Sequence, residues 1–222
     1  MCNRNLYSIT NIFSKVSRER CLANLKKSSY PPIVQGKSPT TKAAVLVPLC
    51  TVDCVPSLLY TVRASNLRTS GGQVAFPGGQ TDGNETPVET ALRETYEEIG
   101  LSGNRIDIWG QALPIQGGQK RTLITPVIGS IANLNEVDLE VNPKEVSEIF
   151  TIPIEALCDP KNQYYTQFRN GYIMPVFIAR RYKIWGVTAY ITHIFLNSVL
   201  SKEIYHNDWT KKKIVRSKLY CD

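Results

Sequence analysis

A chain of 222 residues, 42% of them hydrophobic, suits one globular domain with tails. No run reaches the roughly 18 apolar residues that a membrane span requires, and the longest candidate, 187–200, carries His193 and reads as a buried helix. The formal charge of +7 is unevenly spread: six Lys/Arg face one acid in 1–30 and six face three in 201–222, while 31–200 holds 14 against 15. Basicity therefore belongs to the ends, and a nucleic-acid partner is not expected.

In chain order, residues 1–39 are expected to form an N-terminal tail and linker. The stretch MCNRNLYSITNIFSKVSRERCLANLKK is rich in Arg and Ser, poor in acids, and amphipathic through Leu6, Ile9, Phe13 and Val16, the profile of a mitochondrial transit segment. The plainer reading is a helix leading into the domain, with 18–27 as its core. SSYPPIVQGKSPT follows as a Pro/Ser linker. A domain over 40–201 and a basic C-terminal tail over 202–222 complete the division. Strands are expected at 43–50, 57–64, 73–76, 105–115, 122–131 and in part of 172–185, with helices at 87–99, about 153–158 and 187–201. The six cysteines lack the spacing of a disulfide or zinc framework, so they read as free thiols in a reducing compartment.

Helix 87–99 is the most strongly specified element. Thr86 serves as N-cap, Pro87 occupies the first helical position, Glu89 closes a capping box and Gly100 supplies a left-handed end. Val88, Ala91, Leu92, Thr95 and Ile99 form one narrow apolar stripe. Glu94, Glu97 and Glu98 lie beside that stripe. Two carboxylates about 5.5 Å apart repel by roughly 3 kcal/mol at an effective dielectric near 20. A hard divalent cation with oxygen ligands, such as Mg²⁺, is the simplest compensation. Before the helix, an apolar strand runs into Pro77-Gly78-Gly79, where glycines let backbone approach a ligand and a helix N-terminus favours anions. The unaided chemistry points to metal-assisted work on phosphate.

Gly79, Glu85, Arg93, Glu94, Glu97, Glu98, Gly100 and Leu101 fall on the fixed positions of the Nudix box, so the chain resembles the Nudix hydrolase family. Thr95 stands where an aliphatic residue is usual. Upstream, Thr61, Arg63, Ala64, Arg68, Gly72, Phe76, Pro77, Gly78 and Gly79 resemble the additional motif of its coenzyme A diphosphatase branch, with Tyr60 replacing Leu or Phe. The likeness covers about 40–200 and is greatest to the mitochondrial member. It implies an α/β fold, a Nudix-type α/β/α sandwich with a mixed sheet between helices. It implies Mg²⁺, with Mn²⁺ as substitute, held by Glu94, Glu97 and Glu98. Glu97 and Glu98 would be the catalytic residues, Arg63, Arg68, Gly78 and Gly79 would meet substrate, and Glu85 with Arg93 would support the site structurally.

The implied reaction splits coenzyme A or acyl-CoA into 3′,5′-ADP and a 4′-phosphopantetheine product. The rival readings are a Nudix pyrophosphatase for ADP-ribose, dinucleotides or capped RNA, and a binding module without turnover. The duller alternatives are a solvated face for the glutamates, surface charge for Arg63 and Arg68, and a packed histidine for His193. Glu145 in KEVSE is a candidate to support metal or catalysis, with a loop or helix-start charge as the preferred reading. A mitochondrial location is expected, with peroxisome or cytoplasm as alternatives. Ser217-Lys218-Leu219 matches a peroxisomal address, but Tyr220-Cys221-Asp222 follow it, so a chance match is expected, and a related peroxisomal branch of the family keeps that alternative. A homodimer is left open.

Overall fold

The apolar run AAVLVPLC lies in a strand covered on both faces, which explains why its hydrophobicity is nearly continuous. The structure, a computed structural model, describes residues 9, 11–27, 40–67, 69–117, 122–135, 139–168 and 171–214. The strands are β1 (Thr41–Val52), β2 (Val55–Arg63), β3 (Val74–Ala75), β4 (Gly78–Gln80), β5 (Asp107–Gln111), β6 (Ile115–Gln116), β7 (Thr122–Ile131), β8 (Val146–Pro153), β9 (Gln163–Gln167), β10 (Ile173–Ala179) and β11 (Tyr182–Ile184). The α-helices are α1 (Lys15–Lys27), α2 (Pro87–Ile99), α3 (Ile154–Cys158) and α4 (Gly186–Val199).

Eight strands form one sheet in which β3, β2, β1, β7 and β5 are successive neighbours, with β4 added to β1, β6 to β7 and β8 to β2. β1 and β7 run parallel, from Thr41 opposite Thr122 to Cys50 opposite Ile131, whereas β1 and β2 are antiparallel. The expected mixed sheet is therefore present. One face, with Ala44, Leu46, Leu59 and Val127, packs against Ala91 and Ile99 of α2. The other, with Val47, Leu49, Leu58, Tyr60 and Ile128, packs against α1, α4 and a second sheet of β11, β10 and β9. That second sheet makes this layer more than the helices alone that the expected sandwich supplies.

The sheet opens where the site lies. β1 pairs with β2 at Leu49–Val52 but with β4 at Ala43–Val45, while the far end of β2 pairs with β3 and β8. The two central strands thus part toward Ala43 and Arg63, and residues 74–80 thread the gap. Leu46 N–H donates to Pro77 O at 2.8 Å, fixing this segment to β1.

Two expected tails carry packed structure. In the segment assigned to a transit tail, α1 buries Cys21 and Leu25, with Ile12 just before it. Arg20 donates to Val199 O through Nε at 3.1 Å and Nη2 at 2.5 Å, and Asn24 donates to Ser198 O at 2.9 Å. Of the residues that make this segment amphipathic, Ile9 and Phe13 pack on the core and Val16 is exposed. Residues 1–8, 10 and 28–39 of that tail lie outside the described residues. In 202–222, Ile204, Tyr205 and Trp209 join the core, and Ile214 N–H donates to Tyr165 O.

Three strands, the short β4 as well as β8 and β9, have no counterpart among the expected ones. β8, VSEIFTIP, interrupts its apolar pattern with Glu148, whose carboxylate accepts from the Tyr182 hydroxyl at 2.5 Å. β9 begins with a fully buried Gln163, whose Nε2 donates to Leu157 O and whose Oε1 accepts from Trp209 N–H. Satisfied polar groups hide such strands from a hydrophobicity pattern. No helix among the described residues is long and apolar enough to cross a membrane. Among the described residues, Cys21, Cys50, Cys54 and Cys158 form no disulfide.

His193 is a packed histidine. Its Nδ1 accepts from Trp209 Nε1–H at 3.2 Å and lies 3.0 Å from the Tyr205 hydroxyl. Burial pushes its pKa from 6.5 down to about 4. The folded state therefore resists protonation: stability from a neutral His193 is complete above pH 6.5 and drains as pH falls through about 4. Replacing His193 with Gln should flatten this acid limb by about 2–3 kcal/mol, read from urea midpoints across that range. Parallel pH curves for the two proteins would refute this.

Candidate active site

Helix α2 carries the site and is built as its sequence specifies. The Thr86 hydroxyl accepts from Glu89 N–H at 3.3 Å, Thr86 N–H donates to the Glu89 carboxylate at 2.7 Å, and Gly100 adopts φ 67°. Ala91, Thr95 and Ile99 are fully buried. Thr95 is tolerated there because its hydroxyl donates to Ala91 O at 2.6 Å.

The same packing draws Glu98 inward until it is 3% exposed. Its Oε2 accepts from Gly78 N–H at 3.2 Å, and Arg63 Nη1 stands 3.9 Å from its Oε1. Burial outweighs both and pushes the Glu98 carboxyl from 4.5 up to about 8. Burial also raises Glu94, against the pull of Arg93.

Among the described residues, Glu94, Glu98 and Glu145 each offer a carboxylate oxygen within 4.8 Å of the other two. Glu145 is delivered by the turn before β8: Ala64 N–H donates to its carbonyl at 2.9 Å, tying it to the end of β2. Of the two readings of Glu145, the less favoured one, support of a metal, is the one its place beside Glu94 and Glu98 fits. The available signal was an acid directly ahead of a strand edge, which is weak without the pairing of β8 with β2.

Glu97 is not in this group. It is exposed and its Oε2 accepts from Arg93 Nη1 at 3.1 Å. Arg93 also binds Glu85 through Nε at 2.7 Å and Nη2 at 3.1 Å, Glu94 at 3.1 Å, and Gln80 O at 3.0 Å. This fork holds the Glu85 carboxyl down at about 2 and ties the loop before α2 to the helix. The set of three oxygen donors, one deeply buried and opposed by a single guanidinium at 3.9 Å, fits a hard divalent cation.

At each of the two glycines expected to face substrate, a side chain would run into protein. A Cβ on Gly78, at φ 147°, would lie 2.3 Å from Ala44 O and 2.6 Å from Val45 Cα. A Cβ on Gly79 would lie 2.3 Å from the Glu94 carboxylate. The absence of a side chain thus lets β4 lie against β1 and leaves room for the Glu94 carboxylate. Arg63 lies at the site, and Arg68 falls outside the described residues.

Comparison with known proteins gives a match to the NUDIX domain over residues 40–175. Mitochondrial coenzyme A diphosphatase NUDT8 of Homo sapiens is 44% identical over 160 residues, covering 69% of this chain and 67% of that protein. The Mus musculus protein of the same name is 42% identical, covering 82% and 88%. Nudix hydrolase 3 of Caenorhabditis elegans is 35% identical, covering 88% and 90%. The crystal structure of a MutT/nudix family protein from Enterococcus faecalis aligns at a TM-score of 0.50 and 15% identity, over 95% of this chain and 80% of that one, a likeness of fold alone.

Proposed function

Because this chain belongs to the Nudix hydrolase family, we propose that it cleaves the pyrophosphate bond of coenzyme A and acyl-CoA, giving 3′,5′-ADP and (acyl-)4′-phosphopantetheine. The observation that carries this reading is the convergence of Glu94, Glu98 and Glu145 beside Arg63 at the parted end of β1 and β2. The upstream motif that holds Arg63, and relatives whose names specify coenzyme A, support the choice of substrate.

In this reading Glu94, Glu98 and Glu145 hold Mg²⁺ or Mn²⁺, with Glu97 available at the rim. When bound, such an ion neutralises the diphosphate and lowers the pKa of its water. Arg63 offers a guanidinium fork to a phosphoryl oxygen and, beside Glu98, favours the ionised carboxylate. Gly78 N–H holds the Glu98 carboxylate in place. Arg93 keeps Glu94 and Glu97 oriented through two arms of one nitrogen. Positioning and charge compensation then supply most of the acceleration. The substrate is a small molecule, and the acid-poor N-terminal segment together with the names of the relatives favours a mitochondrial location.

The test is product analysis with the purified full chain, Mg²⁺, and coenzyme A or ADP-ribose in separate reactions. Formation of 3′,5′-ADP from coenzyme A as the faster reaction is the expected result. Faster cleavage of ADP-ribose keeps the chemistry and refutes the substrate. Binding of either compound without turnover favours a binding module.

A further inference from the structure

The turn that delivers Glu145 is organised by one residue, Asn142. Its backbone N–H donates to Glu98 O at 2.9 Å, joining the turn to the last coil of α2. Its backbone carbonyl accepts from Glu145 N–H at 3.0 Å and Val146 N–H at 2.9 Å, closing the turn onto the start of β8. The side chain works in both directions. Oδ1 accepts from Lys144 N–H at 3.2 Å, an Asx turn, and Nδ2 donates to Glu145 Oε1 at 3.4 Å. Asn142 therefore contacts both the backbone of one carboxylate-bearing residue and the carboxylate of another, which reach the site from separate elements.

We propose that Asn142 is a positioning residue that sets the Glu145 carboxylate against Glu94 and Glu98. A carboxylate on a turn samples several rotamers, and a neutral amide donor restrains it without adding a charge that competes with a cation. Aspartate at this position keeps the turn acceptor but removes the donor and places a second negative charge beside Glu145. Alanine removes both side-chain contacts. The backbone bond to Glu98 O survives in every variant, so the attachment to α2 is preserved.

The inference rests on the reading of the carboxylate cluster as a divalent-cation site, and the experiment separates the two. Mn²⁺ binding to the purified full chain is measured by electron paramagnetic resonance for wild type, Asn142→Ala, Asn142→Asp, Glu145→Gln and the Asn142→Ala/Glu145→Gln double variant, with thermal midpoints alongside. Asn142→Ala is expected to weaken Mn²⁺ binding about 10-fold, the range for removing a group that orients a metal ligand. The double variant is expected to bind like Glu145→Gln alone, because Asn142 acts through that carboxylate. An unchanged Mn²⁺ affinity in Asn142→Ala overturns the proposal even if its thermal midpoint falls, and so does a further loss in the double variant. Absence of Mn²⁺ binding by wild type instead refutes the cation-site reading, and the proposal with it.

Discussion

Replacing Glu98 with Gln is expected to lower hydrolysis by about 10³-fold and at the same time to stabilise the metal-free protein at alkaline pH. The first effect follows from removing the most buried oxygen donor of the cluster. The second follows from the carboxyl's displacement from 4.5 to about 8 by burial. Below pH 4.5 the group is neutral in both folded and unfolded chains, so its contribution is intact. As pH rises toward 8 the unfolded chain ionises while the folded chain retains its proton, and stability is lost across that window. Glutamine has no proton to lose, so its curve stays flat there. The gap above pH 8 should be on the order of 5 kcal/mol, at about 1.4 kcal/mol per unit. Added Mn²⁺ should reverse the order, since a ligand bound only by the folded state stabilises it. Denaturation with chelator and then with Mn²⁺ reads both effects, and equal stability of the two proteins in chelator throughout would defeat this account of the site.

The adjacent glycines are expected to fail in different ways when replaced by alanine. Gly78→Ala drives a methyl group into the β1 backbone, 2.3 Å from Ala44 O, at a φ of 147° that a side chain rarely adopts. Backbone cannot step aside as a side chain does, so a loss of about 3 kcal/mol in stability is expected, with activity falling as the strand shifts. Gly79→Ala meets the carboxylate of Glu94, a movable group. Here the fold should persist while Mn²⁺ affinity drops by about 10-fold or more, because a ligand is pushed off the cluster. Thermal melts and Mn²⁺ titrations of the pair decide the matter. A Gly78→Ala protein as stable as wild type would remove the packing explanation, and normal Mn²⁺ binding by Gly79→Ala would remove the steric one.

Helix α2 was legible to its ends because its signals are local: Thr86, Glu89 and Gly100 lie in the same short stretch as the residues they cap. The central strands were legible because β1, β2 and β7 are covered on both faces and so are apolar almost throughout. What escaped depended on partners distant in sequence. Glu145 reads as a solvent charge until β8 pairs with β2, and β8 itself is disguised by Glu148, which needs Tyr182 from β11. The glycines illustrate a further limit. Their identity is dictated by the motif, whereas the reason for it, Ala44 on one side and Glu94 on the other, appears only when β4 lies against β1 and α2. Glu97 shows how helical spacing leaves a side chain's partner undecided: one Arg93 nitrogen bonds both Glu97 and Glu94, while Glu98 meets Gly78 N–H instead.

The docking of α1 bears on maturation. Helix α4 has no basic residue in its own last turn, and its terminal carbonyls at Ser198 and Val199 are served by Asn24 and Arg20 of α1. A processing protease that cut within 12–27 would discard Cys21 and Leu25 from the core and strip a cation from the negative end of a buried helix. Residues 12–27 of the stretch whose pattern resembles an import address are therefore part of the packed domain. Any trimming there would compete with folding for the same short stretch of chain.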